Sequence, residues 1–273
     1  MDDLGLSFDV NCSILFTELP LLERPAAVRA AGFGAVELWW PFPVAVPSDR
    51  EVEALVRAIT DAGVRLVGLN FFAGDMAAGD RGLVSWPGRS AELRDNLEAT
   101  VGIGLRLGCR AFNALYGNRV EGADPGAQDE LAVEQLAMAG RAAARVGGTV
   151  LVEPVSGAPR YPLRTAADAV AVIDRVAAET GVTNLGLLCD LYHLASNGDD
   201  LDRAIATYGD RVAHVQVADA PGRHEPGTGT LDVRRHLGQL AAAGYAGWVG
   251  LEYQPSGASA DSFGWLDIQG AVP

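Results

Sequence analysis

Four apolar segments in the second half of the chain each end on a side chain that carries an oxygen ligand. The segments are 149–153, 185–190, 212–216 and 248–252, and they end on Glu153, Asp190, Gln216 and Glu252. Continuous apolar residues are typical of strands that are buried on both faces of a parallel sheet. A carboxylate at the end of such a strand is costly unless a partner compensates it. The pattern therefore predicts parallel strands that deliver polar groups to one place.

The same alternation of strand and helix runs through the whole chain. Four earlier strands are predicted at 6–11, 35–40, 64–71 and 110–115. Helices are predicted at 21–31, 52–62, 90–108, 128–146, 166–180, 201–208 and 233–243. Ser48 and Glu51 have the spacing of a capping box at the start of the second helix.

Eight strands alternating with helices predict a single-domain α/β fold, the (β/α)8 TIM barrel. We expect one domain over residues 1–273, with the barrel at about 6–255 and a C-terminal tail at 256–273. In this tail Phe263, Trp265 and Leu266 could anchor the chain over the barrel. The alternative is a doubly wound open sheet, which normally has a glycine-rich turn after its first strand, and residues 11–21 contain no glycine.

Composition excludes several classes of function. The formal net charge is −14, and all 21 basic residues are arginine. An acidic surface repels nucleic acids and anionic membranes, and without lysine there is no P-loop and no Schiff base. Residues 1–3 lack the basic start of a secretory signal, and no segment has the apolar length of a membrane span. Three cysteines far apart fit a reduced, cytoplasmic protein.

In a barrel the carboxyl ends of all strands meet at one mouth. Glu153, Asp190, Gln216 and Glu252 would converge there, and three carboxylates that lie close together need a compensating cation. Oxygen ligands without cysteine favour Mg²⁺ or Mn²⁺. The alternative interpretation is that four unrelated polar residues cap strand ends and bond to local backbone. The metal site is favoured because four consecutive strands each end on an oxygen ligand.

Other residues can face the same mouth. We expect His193, in the loop after strand six, to donate a hydrogen bond to a substrate oxygen. Arg223 and Glu225 follow strand seven, where an arginine can bind a substrate carboxylate or simply hold the loop. The ends of strands one to four carry further candidates, namely Asn11, Glu37, Trp39, Asn70 and Asn113.

A long glycine-rich segment at 73–89 interrupts the alternation. Loops of this length in compact domains are usually functional or disordered. Two roles stay open for it at this point, a lid over the mouth and a contact between the subunits of a homo-oligomer.

Several segments resemble those of the hydroxypyruvate isomerase family. They are 11–16, 70–82, 87–89, 153–154, 190–193, 216–219, 225–229 and 247–253, and the resemblance extends over nearly the whole chain. It implies a xylose-isomerase-like barrel with a divalent metal held by Glu153, Asp190, Gln216 and Glu252. It also implies that Glu153 and Glu252 are the catalytic pair. The implied reaction converts hydroxypyruvate to tartronate semialdehyde through an enediolate.

The chain departs from that family at two positions. Leu69 stands where a histidine is expected, and Gln254 stands where members often have a basic residue. These changes bear on which substrate the site accepts more than on which class of reaction it catalyses. A 2-oxo-tetronate isomerase and a ketose 3-epimerase therefore remain alternatives. An apurinic endonuclease with a related barrel would need extra histidine ligands and a basic groove, whereas this chain has four histidines in total and a net charge of −14. A non-catalytic barrel that binds a metabolite is the third class.

Overall fold

The computed structural model describes residues 4–266, so the predictions for residues 1–3 and 267–273 lie outside it. Eight parallel strands form a closed barrel in chain order, each strand bonded to the next and β8 to β1. The strands are β1 Ser7–Asn11, β2 Ala35–Leu38, β3 Arg65–Asn70, β4 Ala111–Asn113, β5 Thr149–Val152, β6 Leu185–Asp190, β7 Val212–Val217 and β8 Trp248–Leu251. The predicted TIM barrel is confirmed; the outer limits of the domain stay a prediction.

Helices surround the barrel. They are α1 Arg24–Ala30, α2 Asp49–Ala62, α3 Ser90–Leu107, α4 Pro125–Ala144, α5 Ala166–Thr180, α6 Leu191–Asn197, α7 Leu201–Tyr208 and α8 Val233–Ala242. Short 3₁₀ turns lie at Leu21–Glu23, Gly209–Arg211, Ser259–Asp261 and Gly264–Leu266. Within the described residues, no helix is long and apolar enough to cross a membrane.

Local sequence explains where the helices begin and how they pack. The predicted capping box is present at α2, where the Ser48 side chain accepts from the Glu51 amide and Glu51 accepts in return. On α5, Val170, Ile173 and Val176 are buried at helical spacing. Each such side chain contributes roughly 1.5–3 kcal/mol through burial against the strands. The helical spacing of these apolar residues thus determines which face of the helix packs against the barrel.

The segment after β8 returns across the amino-terminal half of the barrel. Phe263 is buried against Phe16 and Phe33, and Trp265 makes an edge contact with Phe8. Ser259 donates to Glu18 and accepts from the amide of Phe16. The contacts agree with the expectation that Phe263 and Trp265 anchor this segment.

Candidate active site

A cavity of about 340 Å³ opens at the carboxyl ends of the strands. Six of the residues predicted for the site line it, namely Trp39, Asn70, Glu153, His193, Arg223 and Glu252. The remaining lining residues are Met76, Ala77, Arg81, Leu115, Val155 and Ser156. The barrel therefore brings together side chains that are far apart in the sequence.

Glu153 is the first residue after β5 and is buried at the base of this cavity. Asn113 Nδ2 donates to its Oε2 at 2.7 Å, and the Tyr161 hydroxyl donates to its backbone carbonyl at 3.0 Å. Burial raises the pKa of the Glu153 carboxyl to about 8, and the charge of Asp190 adds to the rise. Near neutral pH this group can therefore both take up and release a proton.

Glu252 occupies the corresponding position after β8 and is also buried. Its Oε1 accepts from Trp39 Nε1 at 2.8 Å and from Arg223 Nη2 at 2.9 Å. Its Oε2 is buried and has no hydrogen-bond partner among the described residues. Burial raises the pKa of Glu252 well above its ordinary value, although Arg223 opposes the rise. One oxygen is thus held in place and the other is available.

Asp190 ends β6 and caps α6. Its Oδ1 accepts from the amides of Tyr192 and His193 at 2.8 and 3.2 Å. Its Oδ2 is buried, and in residues 4–266 nothing donates to it. The cap fixes the carboxylate so that the second oxygen is left without a partner.

His193 lies on α6 rather than in a loop, so the sequence prediction of its local structure is wrong. The helix was missed because it has only seven residues and directly follows β6. The Ser156 amide donates to His193 Nδ1 at 3.0 Å, so Nδ1 is an acceptor and Nε2 carries the hydrogen. Burial lowers the pKa of His193 to about 4, which keeps the ring neutral. His193 Nε2 lies 3.7 Å from Asp190 Oδ2 and 3.9 Å from Glu153 Oε1.

Gln216 completes the predicted set, which we call the mouth cluster: Glu153, Asp190, Gln216 and Glu252. Gln216 Nε2 donates to Glu37 Oε1 at 2.8 Å, and its own Oε1 is buried without a partner in the described part of the chain. Buried oxygens without donors are costly. Three members of the mouth cluster have such an oxygen.

The donor set of the mouth cluster fits a divalent cation. Carboxylate and amide oxygens are the ligands that Mg²⁺ and Mn²⁺ prefer. Ligand atoms of Glu153 and Asp190 lie within 4.8 Å of each other, which is close enough for the two carboxylates to share an ion. A cation would also compensate the carboxylates of Glu153 and Glu252, whose pKa values are raised first by burial and further by the charge of neighbouring carboxylates.

A second polar group, the interior cluster, lies deeper in the barrel and consists of Asp9, Glu37 and His214. His214 Nε2 and Glu37 Oε2 are 2.7 Å apart, and Glu37 Oε1 accepts from Asn11 Nδ2 at 3.0 Å. Gly250 makes room for it, because a Cβ at Gly250 would lie 2.5 Å from Glu37 Oε1. Glu37 therefore belongs to this cluster and Asn11 is one of its donors, and neither residue lines the cavity where the sequence placed them.

Asp9 differs from the other members of the interior cluster. It is fully buried, and neither carboxyl oxygen has a hydrogen-bond partner within residues 4–266. Burial raises the pKa of Asp9 well above its ordinary value, and the charge of Glu37 adds to the effect. Its ligand atoms lie within 4.8 Å of those of Glu37 and His214, so this group too could hold an ion.

The remaining predicted residues have supporting positions. Arg223 has a left-handed backbone with φ 59°, and its guanidinium lies 5.3 Å from the centre of the Tyr192 ring. Asn113 contacts Glu153 from outside the cavity lining. Glu225 accepts from the amide and hydroxyl of Ser256, and it is also outside the lining. Arg223 thus lies at the cavity, and Glu225 binds the C-terminal segment through Ser256.

The loop at 73–89 covers one side of the cavity and is braced. Arg89 contacts Asp80 at 3.2 Å and Glu92 at 2.7 Å, and Asn118 Nδ2 donates to the carbonyl of Gly79 at 2.9 Å. Gly82 has φ 111°, and a Cβ there would lie 1.9 Å from the carbonyl oxygen of Leu115. Only glycine allows this close approach. The contacts favour a cover over the cavity.

A wider groove adjoins the cavity on its outer side. It has a volume of about 730 Å³ and shares Trp39 and Arg223 with the cavity. Ser13, Glu18 and Gln254 also line it. A ligand longer than the cavity could extend past Trp39 into this space.

Sequence reasoning missed the interior cluster and Arg81. A signal for the interior cluster was present, because Asp9, Glu37 and His214 each stand between apolar neighbours in a predicted strand. A charged residue in that setting must find a partner inside the barrel. For Arg81 no comparable signal exists, because its position depends on how the loop folds.

Comparisons with known proteins agree with this architecture. A family model described as "Xylose isomerase-like TIM barrel" matches residues 25–269. A protein named putative hydroxypyruvate isomerase from Streptomyces coelicolor is 55% identical over 264 residues, which covers 95% of each chain. A protein named 2-oxo-tetronate isomerase from Cupriavidus necator is 33% identical, covering 95% of this chain and 96% of the other.

Among solved structures, one titled AP endonuclease, family 2, from Brucella melitensis superposes with a TM-score of 0.87. It is 34% identical to this chain and covers 97% of it and 99% of its own length. Each of these three proteins therefore matches at least 95% of the chain, and two of them are named as isomerases.

Proposed function

Since the chain belongs to the xylose isomerase-like TIM barrel family, we propose that it is a metal-dependent isomerase of small hydroxy-carbonyl acids. The nominal reaction is hydroxypyruvate to 2-hydroxy-3-oxopropanoate, which is tartronate semialdehyde. The prediction of an isomerase agrees with the names of its relatives. The substrate and the metal are the parts that we add.

One observation supports this proposal above the others: two buried glutamates, Glu153 and Glu252, line a single cavity and have raised pKa values. Groups with shifted pKa values in a cleft are typical of acid–base catalysis. An isomerisation of this type needs one group to remove a proton and another to return one. The two glutamates suit both tasks.

The proton balance of the reaction defines their roles. One proton leaves the hydroxymethyl carbon of hydroxypyruvate, and an enediolate forms. One proton then returns to the former carbonyl carbon, and the hydroxyl hydrogen moves from one oxygen to the other. We assign removal and return to Glu153 and Glu252 without fixing which acts first.

The mouth cluster would hold Mg²⁺ or Mn²⁺ through Glu153, Asp190, Gln216 and Glu252. When bound, such a cation supplies positive charge that stabilises the negative charge developing on the substrate oxygens. The oxygens of Asp190, Gln216 and Glu252 that lack donors are the atoms available for it.

His193 and Trp39 would act on the substrate and on the base. The neutral His193 ring offers its Nε2 hydrogen toward the cavity and can donate to a substrate oxygen. Trp39 and Arg223 both donate to Glu252 Oε1 and so fix the orientation of that carboxylate. Asn113 does the same for Glu153. Asn70 lines the cavity and is a further candidate for substrate contact.

A four-carbon substrate is the second candidate. The relative from Cupriavidus necator carries the name 2-oxo-tetronate isomerase, and the groove beyond Trp39 and Arg223 offers space for a longer chain. A ketose 3-epimerase would use the same glutamates. The three candidate activities differ in the length and charge of the substrate, and all begin with the removal of a proton from a carbon next to the carbonyl.

A cytoplasmic location is part of the proposal. Cys12, Cys109 and Cys189 are buried, and none of them forms a disulfide. Free thiols of this kind suit a reducing compartment. The partner we propose is a small-molecule substrate, and whether the chain forms a homo-oligomer is a separate question.

Hydrogen exchange measured by NMR tests the proposal directly. The protein is incubated in D₂O with Mg²⁺ or Mn²⁺ and with hydroxypyruvate, 2-oxo-tetronate or a ketose, and an EDTA sample is the control. We expect metal-dependent deuterium incorporation next to the carbonyl, fastest with the true substrate. Absence of exchange with every compound would contradict an isomerase of this class.

A further inference from the structure

Arg81 is a cation in the cavity whose charge is not matched by an acid. It lies on the braced loop and lines the cavity with Glu153 and His193. Its Nη1 donates to the backbone carbonyls of Met76 at 3.0 Å and Asp80 at 2.7 Å. Among residues 4–266, no carboxylate oxygen lies within 4.0 Å of its guanidinium nitrogens. The remaining donors of the fork are therefore available.

Arg223, the other arginine of the cavity, has a different environment. Its Nη2 contacts Glu252 Oε1 at 2.9 Å, and its guanidinium packs against the Tyr192 ring. The sequence left two roles open for Arg223, namely binding a substrate carboxylate and holding the loop. In the structure its charge is already matched by Glu252, which it orients.

When a bound divalent cation keeps the three carboxylates of the site ionised, the charge of the site favours one more anion. Glu153, Asp190 and Glu252 bring three carboxylates, and Arg81 and Arg223 bring two cations. With a divalent cation in the mouth cluster, the sum is one positive charge. A substrate with a single carboxylate would neutralise it, and an uncharged sugar would not.

We propose that Arg81 forms the binding site for the carboxylate of the substrate. This inference rests on the proposed function. The two carbonyls that hold Nη1 orient the planar fork before a ligand arrives, and a planar fork can bind both oxygens of a carboxylate. The braces at Gly82 and Arg89 keep the loop in the same position. The site therefore selects acids over neutral hydroxy-ketones.

Paired substrates test the proposal by kinetics. Dihydroxyacetone differs from hydroxypyruvate in having a hydroxymethyl group in place of the carboxylate. In Arg81→Gln we expect the ratio of kcat/KM for hydroxypyruvate to that for dihydroxyacetone to fall by about 10- to 100-fold, mainly through KM. Arg81→Lys keeps the charge without the fork and should recover part of this loss.

Two further arginine variants complete the kinetic test. Arg57→Gln removes an exposed arginine that pairs with Glu53 on α2, so it should leave the ratio unchanged. Arg223→Gln should lower turnover of both compounds because Arg223 orients Glu252. An unchanged ratio in Arg81→Gln, or a selective loss of hydroxypyruvate in Arg223→Gln instead, would overturn the proposal.

Binding of unreactive ligands separates this inference from the proposed function. Glycerate and glycerol differ in the same carboxylate and lack the ketone. We expect Mg²⁺-loaded protein to bind glycerate more tightly than glycerol in saturation-transfer NMR, and Arg81→Gln to abolish the preference. If wild-type protein isomerises no acid yet shows this preference, the function fails and the carboxylate site stands. If the preference survives in Arg81→Gln, the site fails.

Discussion

The mouth cluster and the interior cluster are built from the same kinds of side chain and are satisfied in different ways. In the interior cluster, Glu37 accepts from His214, Asn11 and Gln216, so both of its oxygens have partners. In the mouth cluster, Asp190, Gln216 and Glu252 each keep a buried oxygen without a donor. The first arrangement stabilises a fold, and the second leaves ligand atoms for something that the protein binds.

This difference teaches how to separate structural from functional carboxylates in one barrel. Burial alone does not distinguish them, because Glu37, Glu153 and Glu252 are all almost completely buried. Hydrogen bonding separates Glu37, whose two oxygens both have partners, from Glu252, whose Oε2 has none. Asp9 is the exception in the interior cluster, because neither of its oxygens has a partner within residues 4–266. Substitutions at the mouth should therefore change catalysis and metal affinity, and substitutions in the interior should change the free energy of unfolding.

The largest effect is expected from the two glutamates of the mouth. Glu153→Gln and Glu252→Gln keep the shape and remove the proton acceptor, so kcat should fall by about 10²–10⁴-fold in each. Steady-state kinetics on the best substrate measures this, with circular dichroism to verify the fold. Near-wild-type turnover in Glu252→Gln would remove that residue from the catalytic pair.

The matching change in the interior is His214→Leu. It leaves Glu37 Oε2 buried without its partner, and we expect the free energy of unfolding to fall by roughly 2–5 kcal/mol in urea titrations. His214→Gln retains a donor and is the control that should lose less. If both variants unfold like wild type, the pair contributes nothing to stability.

Asp190→Asn should separate metal affinity from the stability of the fold within the mouth cluster. Asparagine keeps the oxygen that caps α6 and removes the charge that raises the pKa values of Glu153 and Glu252. We expect affinity for Mn²⁺ in calorimetry to fall at least about 10-fold, and the Tm of metal-free protein to stay equal or rise. A lower Tm with unchanged affinity would indicate a structural role for the carboxylate.

The smallest effect is expected from Asp9→Asn, and it depends on pH. Because the folded-state pKa of Asp9 is raised, folded protein keeps a proton that unfolded protein loses above about pH 4. The contribution of Asp9 to wild-type stability therefore becomes less favourable as pH rises from there toward the raised pKa. The variant should be equal to wild type at pH 3.5 and more stable at pH 7 in urea titrations.

A different outcome for Asp9→Asn would change the comparison itself. If the variant is less stable than wild type at pH 7, and a chelator removes the difference, then Asp9, Glu37 and His214 hold an ion. The interior would in that case be a second cation site. Equal stability with and without EDTA excludes this.

The sequence predicted the barrel because the eight strands and the longer helices each have a local pattern of apolar residues, whereas the seven-residue helix α6 was missed. Apolar runs such as Leu185–Asp190 and the helix Ala166–Thr180 have the predicted limits. It also placed Glu153 and Glu252 at strand ends, from which parallel geometry brings them to one cavity. Whether they and their neighbours hold the metal stays a prediction.

What the sequence could not supply were contacts between distant segments. The donation from Trp39 to Glu252 joins residues that are 213 positions apart, and no local pattern encodes it. The choice of ring nitrogen that carries the hydrogen of His193 depends on the Ser156 amide, 37 positions away. Arg81 reaches the cavity only because Gly82 lets the loop approach Leu115.

The braces of the loop at 73–89 also determine the route of the substrate. Opening the loop would break the contacts of Arg89 with Asp80 and of Asn118 with Gly79, and would move Gly82 away from Leu115. The groove shares Trp39 and Arg223 with the cavity, and none of the residues in these loop contacts lines it. A substrate that enters past Trp39 would therefore break none of the loop contacts, and in that case solvent viscosity should slow turnover only through its effect on substrate diffusion.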